Sequence, residues 1–427
     1  MNTNNPRRAG DRDKSFGIDG EVTLDILPEQ IRYTRQVKGA LVLPDNKVLL
    51  SLMLETRPYV GQYGLARLTP GGKLDLSFAN GGLLIDSFKG DEPCAGGRLL
   101  RLTDGRLLML GHHVVFEGEN PIAHLAMACY SSDYTLDTTF GEMGTGHLII
   151  ENEPGEVYLA DSGKVAQQAD GKLLVCTTYY SVDDRSNTTG LLYRLHANGT
   201  LDKTFNQTGR LDFKVQDPDA PTALNACLPQ ADGKIVVAGH AHLQPRRATA
   251  LVARLQDNGT LDRDFGHRNS PGYFSVGIGN RPTEFMELLS TSAGFVALGQ
   301  VGDLENFPVE GLMVGLSKNG VADPGFNGGE PLRTLYDPTR RNTWQSGYVQ
   351  SDGKLVTSTT QDYIYISRWL PDGSVDSEFG TDGYVTEGTA TNAIPVLLME
   401  RAQNNILFAA NAIGIEGSIG CLFAYQG

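Results

Sequence analysis

Short apolar runs, five to seven residues long and bounded by glycine, recur along the whole chain. Examples are Gly97-Arg-Leu-Leu-Arg-Leu-Thr103, Lys234-Ile-Val-Val-Ala-Gly239, Leu251-Val-Ala-Arg-Leu255 and Gly82-Leu-Leu-Ile-Asp-Ser-Phe88. Their richness in Val, Leu and Ile and their length predict β-strands rather than helices. Apolar positions at helical spacing are absent, so the chain reads as all-β.

The runs belong to a repeat. An apolar residue, Asp, two variable residues and Phe recur as Leu74-Asp75…Phe78, Leu136-Asp137…Phe140, Leu201-Asp202…Phe205 and Leu261-Asp262…Phe265. Weaker copies are Ala322-Asp323…Phe326 and Val375-Asp376…Phe379, and Asp13…Phe16 stands near the N-terminus. Successive Phe residues are 62, 62, 65, 60, 61 and 53 apart, and the step from Phe379 through the chain end and on to Phe16 is 64. A repeat that stays in phase across the termini predicts a closed ring. A turn before an apolar run gives the same count: Asp45-Asn46, Asp104-Gly105, Asp170-Gly171, Asp232-Gly233, Ala293-Gly294, Asp352-Gly353 and Asn404-Asn405. Asp-Gly and Asn-rich pairs tolerate the positive φ of tight hairpins.

Each unit of about 60 residues accommodates four strands (A to D), the size of a propeller blade. The last unit ends after Ile419-Gly-Cys-Leu-Phe423 with no Asp-x-x-Phe strand, whereas Asp13…Phe16 and Glu21–Leu27 supply one with no partners before it. The expectation is a seven-bladed β-propeller of four-stranded blades, closed by the N-terminal strand completing the last blade. Residues 1–11 are expected to be a flexible tail and residues 12–427 a single propeller domain.

The run Asp232 to Gly239, then Leu251 to Leu255, Asn258-Gly-Thr-Leu-Asp262 and Phe265-Gly266 resembles the delta-60 repeat of bacterial proteins. Asp170 to Phe205 and Asp352 to Gly380 match it nearly as well, and the fifth unit departs most, with Gly315 where others carry Arg. The resemblance covers residues 12–427. It implies a propeller and brings no shared catalytic residues.

Composition narrows the function classes. A net charge of −14 disfavours nucleic acid and anionic membranes as partners. No apolar stretch approaches the ~20 residues of a membrane span, and the N-terminus lacks a signal-peptide core. Cytoplasmic residence is the expectation, with export without an N-terminal signal peptide as the alternative. The five cysteines are odd in number and form no C-x-x-C pair, so buried thiols are expected. No G-x-S-x-G, H-E-x-x-H or phosphate-binding loop stands in the sequence. No metal or cofactor is expected.

An Arg lies eight residues before the anchor Asp in four units (Arg67, Arg194, Arg254, Arg368), and this Arg–Asp spacing reads as structural. Residues that differ between units are the better functional candidates. Alternating strands send the B–C and D–A connections to one face, where long dissimilar segments gather and binding residues concentrate. Arg246, Arg247, Arg340, Arg341 and Trp344 are candidate contacts there, since Arg and Trp combine contact area with directional donors. His112 and His240 sit at the ends of B strands, either as polar ligand contacts or as plain strand ends. The favoured reading is a non-catalytic binding or scaffold propeller that presents this face to a protein or glycan. The alternative is a metal-dependent hydrolase or lyase at the channel mouth, using Glu92, Glu284 and Glu287 with the histidines.

Overall fold

The computed structural model describes the chain apart from residues 1–7, 29–30, 32–33, 58–59, 142–143, 160–162, 216, 218, 245–246, 304–307, 360–363, 388–392 and 415–416. The described residues form strands with three single-turn 3-10 segments, as an all-β propeller requires. The fourth repeat shows the plan. Thr222–Pro229, Ile235–Gln244, Arg247–Leu255 and Tyr273–Val276 are successive antiparallel neighbours. Successive connections therefore fall at opposite ends of the blade, as expected. The innermost strands pack against one another in cyclic order, and the last, Ala393–Glu400, returns to the first, Thr34–Val42.

The expected count of seven separate four-stranded blades is corrected by the hydrogen bonding. Five blades stand as separate sheets, four of them four-stranded and one five-stranded; the remaining strands form a single eight-stranded sheet. In that sheet the strands of the first and last repeats are continuous, because Arg35 bridges in parallel to Ile419. The five-stranded blade arises because its inner strand is split: Glu156–Tyr158 and Lys164–Gln167 both pair with Leu173–Ser181. Phase counting detects repeats but cannot see where backbone groups of adjacent repeats approach closely enough to bond.

The N-terminal strand does pair with the C-terminal one. Glu21–Thr23 runs antiparallel to Cys421–Phe423, and Arg12 bridges to Tyr425. Phe16, Val22, Leu24 and Leu27 are buried against this seam. Of the expected tail 1–11, residues 1–7 lie outside the described residues, while 9–11 are bonded into the fold. Gly380 N–H donates to Ala9 O, Gly10 N–H to Gln426 O and Gln426 N–H to Asp11 O, at 2.8–2.9 Å.

The repeated residues are structural, as expected. Every anchor Phe is at most 2% exposed. Arg67, Arg194, Arg254 and Arg368 donate to Asp75, Asp202, Asp262 and Asp376 at 2.7–2.8 Å. Each guanidinium also lies 4.8–5.0 Å from the anchor ring of its own unit. The basic residue of the A–B turn completes the clamp, with Lys234 and Lys354 at 2.9 and 3.0 Å from their Asp. Units without the strand Arg find other solutions. Arg106 from the turn takes Asp137 at 2.8 Å, and Arg401 takes Asp13 at 3.5 Å. In the fifth unit a Cβ on Gly315 would meet the Cβ of Phe326 at 2.3 Å, so no side chain fits.

Adjacent units are tied by one recurring bond. The residue after the anchor Phe donates its N–H to the C–D turn of the next unit, as in Gly141 to Asn198 O, Asn206 to Asn258 O and Gly266 to Asn319 O. The anchor ring then packs on the glycine of that turn. At Gly320, φ is +75° and a Cβ would sit 2.4 Å from the Phe265 ring. Gly320→Ala should therefore lower stability by about 1–3 kcal/mol through left-handed strain, with further loss from the clash. A chemical denaturation midpoint equal to wild type would contradict this.

Candidate functional site

Inner strands carry a device that the sequence reading missed. Strand A shifts register by a bulge at Val37/Gly39, Ala95/Arg98, Leu224/Ala226, Phe285/Glu287, Trp344/Ser346 and Pro395/Leu397. A bulge leaves its extra residue unpaired and re-aims it. In the fourth repeat this frees Asn225, whose amide donates to Phe285 O at 2.8 Å and to Glu284 Oε1 at 3.2 Å.

Glu284 is the hub of a polar cluster. It is paired in register with Gln300, whose amide donates to it at 3.4 Å. His240 Nδ1 stands 3.0 Å from Glu284 Oε1. Burial works against both charges, but mutual attraction outweighs it: the Glu284 carboxyl is held below its ordinary range and the His240 imidazole above. Arg341 adds to the lowering of Glu284. Three residues further in, Lys164 donates to Glu287 at 2.8 Å, linking the third repeat to the fifth.

The sequence-derived candidates divide as follows. His240 and Glu284 come together, and so do Glu92 and the neighbour of His112: His113 Nε2 lies 2.7 Å from Glu92. His113 is pushed below the usual imidazole range by burial, against the pull of Glu92. His112 is half-buried, opposite Ala95. Among the described residues no three His, Cys, Asp or Glu side chains converge as a metal ion requires. Arg246 lies outside the described residues. Arg247 Nη1 donates to Gly279 O at 2.6 Å. Arg340 pairs with Asp337 at 3.1 Å. Asn342, fully buried, organises that loop by donating to Asp337 O and Arg340 O.

Trp344 is not a surface contact. It is fully buried, edge-on to Trp369 at 5.7 Å and to Tyr336 at 5.9 Å. It opens an inner strand, Trp344–Val349, and its ring turns into the core shared with Trp369. The expected B–C loops are likewise corrected. Leu107–Glu117 with Asn120–Tyr130, and Leu173–Ser181 with Asp184–Leu195, are long hairpin arms with tight tips. His240 and His242 lie within such an arm rather than in a loop.

Two concavities lie elsewhere and carried no signal in the sequence. One of about 290 Å³ on the short-turn face is lined by Leu41, Leu43, Asp45, Arg67, Arg101 and Tyr134. The other, of about 360 Å³, lies at the closing seam among Arg8, Asp11, Thr381, Tyr384 and Thr386. Among the described residues no helix is long and apolar enough to cross a membrane.

Comparison with known proteins follows the fold. No curated protein matches the chain in sequence. Among solved structures, an acylaminoacyl peptidase in complex with a chloromethyl ketone aligns at TM-score 0.46 and 9% identity, over 92% of this chain and 51% of that one. The chain thus spans about half the length of that peptidase. The propeller domain of the trilobed protease from Pyrococcus furiosus aligns at 0.46 and 9%, over 93% and 94%. A glucose dehydrogenase aligns at 0.40 and 13%, over 77% and 95%. At these scores and identities no activity carries over. Residues 168–205 and 230–265 match the family model described as a domain of unknown function (DUF5122) beta-propeller. The chain is a β-propeller, and its third and fourth repeats match that family.

Proposed function

We propose that this protein is a non-catalytic binding propeller that presents its hairpin-arm face to a protein partner. The observation that carries the reading is the chemistry of the arm tips. Phe116 and Val182 are each 58% exposed and Ile413 is 44% exposed, all at the B–C end of their blades. Large apolar groups held out on rigid arms suit a partner that desolvates them. A phenyl and two aliphatic groups favour a protein over a glycan. The polar cluster around Glu284, with His240 on the arm of the fourth repeat, ties that repeat to the fifth.

The test is a Phe116→Asp, Val182→Asp double variant of the full chain, used as bait beside wild type. Both sites are exposed, so folding should change by no more than about 0.5 kcal/mol per site. Capture of the wild-type protein partner should fall at least about tenfold, the loss of a modest hot spot. Equal capture by the variant would move the site off this face. A glycan-array signal without protein capture would replace the partner class.

A further inference from the structure

The first residue after each inner-strand bulge marks one register level of the inner strands. At this level stand Arg98, opposite Leu110, and Glu287, opposite Leu298. Lys164, the first residue of the split inner strand's second piece and opposite Cys176, occupies the same level. Gly39, Ala226, Ser346 and Leu397 hold it in the other repeats and are all buried, so Arg98, Lys164 and Glu287 are the charged residues of that level. Two cations therefore share one carboxylate, and that carboxylate is bonded to Lys164. Arg98 is half-buried and close enough to Lys164 to oppose its charge. Among the described residues no hydrogen-bond or ion-pair partner meets the Arg98 guanidinium. Half-buried cations without partners are costly, and here the neighbour is a like charge. Among the described residues two cations therefore face one carboxylate, a local excess of positive charge in a protein of net charge −14.

We propose that the channel is a binding site for a small oxyanion, a carboxylate or phosphate group held between Arg98 and Lys164. The guanidinium offers a planar fork suited to two oxygens, and the ammonium a point charge. Lys164 keeps Glu287 as its second partner, which fixes the ammonium on one side and leaves Arg98 to close the other. The site is independent of the hairpin-arm face, so a ligand there and a protein partner at the tips can coexist.

The experiment uses the full chain, titrated at fixed ionic strength in chloride with inorganic phosphate and, separately, with succinate. Calorimetry and thermal melting are the readouts. Wild type should show a saturable rise in Tm with at least one of the two anions, and which one responds tells the source of the oxyanion. Arg98→Gln breaks no hydrogen bond or ion pair among the described residues, so it should melt as wild type does without ligand. It should bind the anion at least about tenfold more weakly, the loss of one charged hydrogen bond. Arg98→Lys, which keeps the charge, should fall between. Arg101→Gln removes the same charge from the exposed end of the same strand and should bind as wild type does. Absence of a saturable response to either anion overturns the proposal. So does equal weakening by Arg98→Gln and Arg101→Gln, which would mark a net-charge effect.

Discussion

Deletion of residues 1–27 should abolish cooperative folding, leaving a protein that aggregates or melts far below wild type. The segment carries Phe16, Val22, Leu24 and Leu27 into the core, all at most 5% exposed. Each such side chain contributes about 1.5–3 kcal/mol by burial, and together they rival the ~5–15 kcal/mol by which a domain is stable. The deletion also uncovers the backbone edge of Gly417–Tyr425, which Glu21–Thr23 pairs. An open edge beside apolar side chains invites intermolecular pairing. Asp13 would be lost from Arg401, whose guanidinium stacks 4.6 Å from the Phe16 ring. Deletion of residues 1–7 alone serves as the control and should be neutral. A single substitution tests the same seam without exposing an edge: Phe16→Ala should cost about 3–5 kcal/mol. A 1–27 deletion that melts with wild-type midpoint and slope would refute closure by this strand.

Acid should unfold the protein through its repeated clamps. In Asp137, Asp202, Asp262 and Asp376 burial pushes the carboxyl up, but hydroxyl, backbone and cationic partners outweigh it and hold each below the ordinary carboxylate range. Asp75 is lowered chiefly by the Ser77 hydroxyl. For Asp202 the folded value is about 2, against 3.8 unperturbed. A lowered folded value means that the unfolded chain binds more protons in acid. The clamps' contribution is therefore fully present above about pH 4 and lost as pH falls toward about 2. Urea midpoints should drop steeply across that window. Arg194→Met tests one clamp at neutral pH: the pair is 0% and 1% exposed, and with Lys172 still 3.6 Å from Asp202 the loss should stay below the ~3–5 kcal/mol of a fully unpaired buried charge. Asp202→Asn should be less stable at pH 7 and show a shallower acid slope. An unchanged slope would place the acid sensitivity elsewhere.

The sequence by itself determined the all-β class, the repeat, the clamp and the closing strand. These depend on short-range spacing. An Asp eight residues after an Arg, across one tight turn, meets it in nearly any blade, and an alternating run needs no distant partner to be recognised. Positive φ at the A–B turns was legible for the same reason, as at Gly105 and Gly233. The family resemblance rested on those same local residues.

Tertiary structure alone decided what crosses between repeats. Arg35 reaching Ile419 fuses two repeats into one sheet and changes the number of separate blades to five, a contact between residues at opposite ends of the chain. Trp344 read as a contact on the variable loop face, yet it opens an inner strand and its buried ring meets Trp369. Lys164 and Glu287 lie 123 residues apart and carry no shared motif. The inner-strand bulges that set the channel wall insert single residues without a fixed type, from Asn225 to Met286, so they leave no pattern to read. Which residues belong to a repeat is a matter of local spacing; which of them face one another is settled only when the inner strands close around the channel.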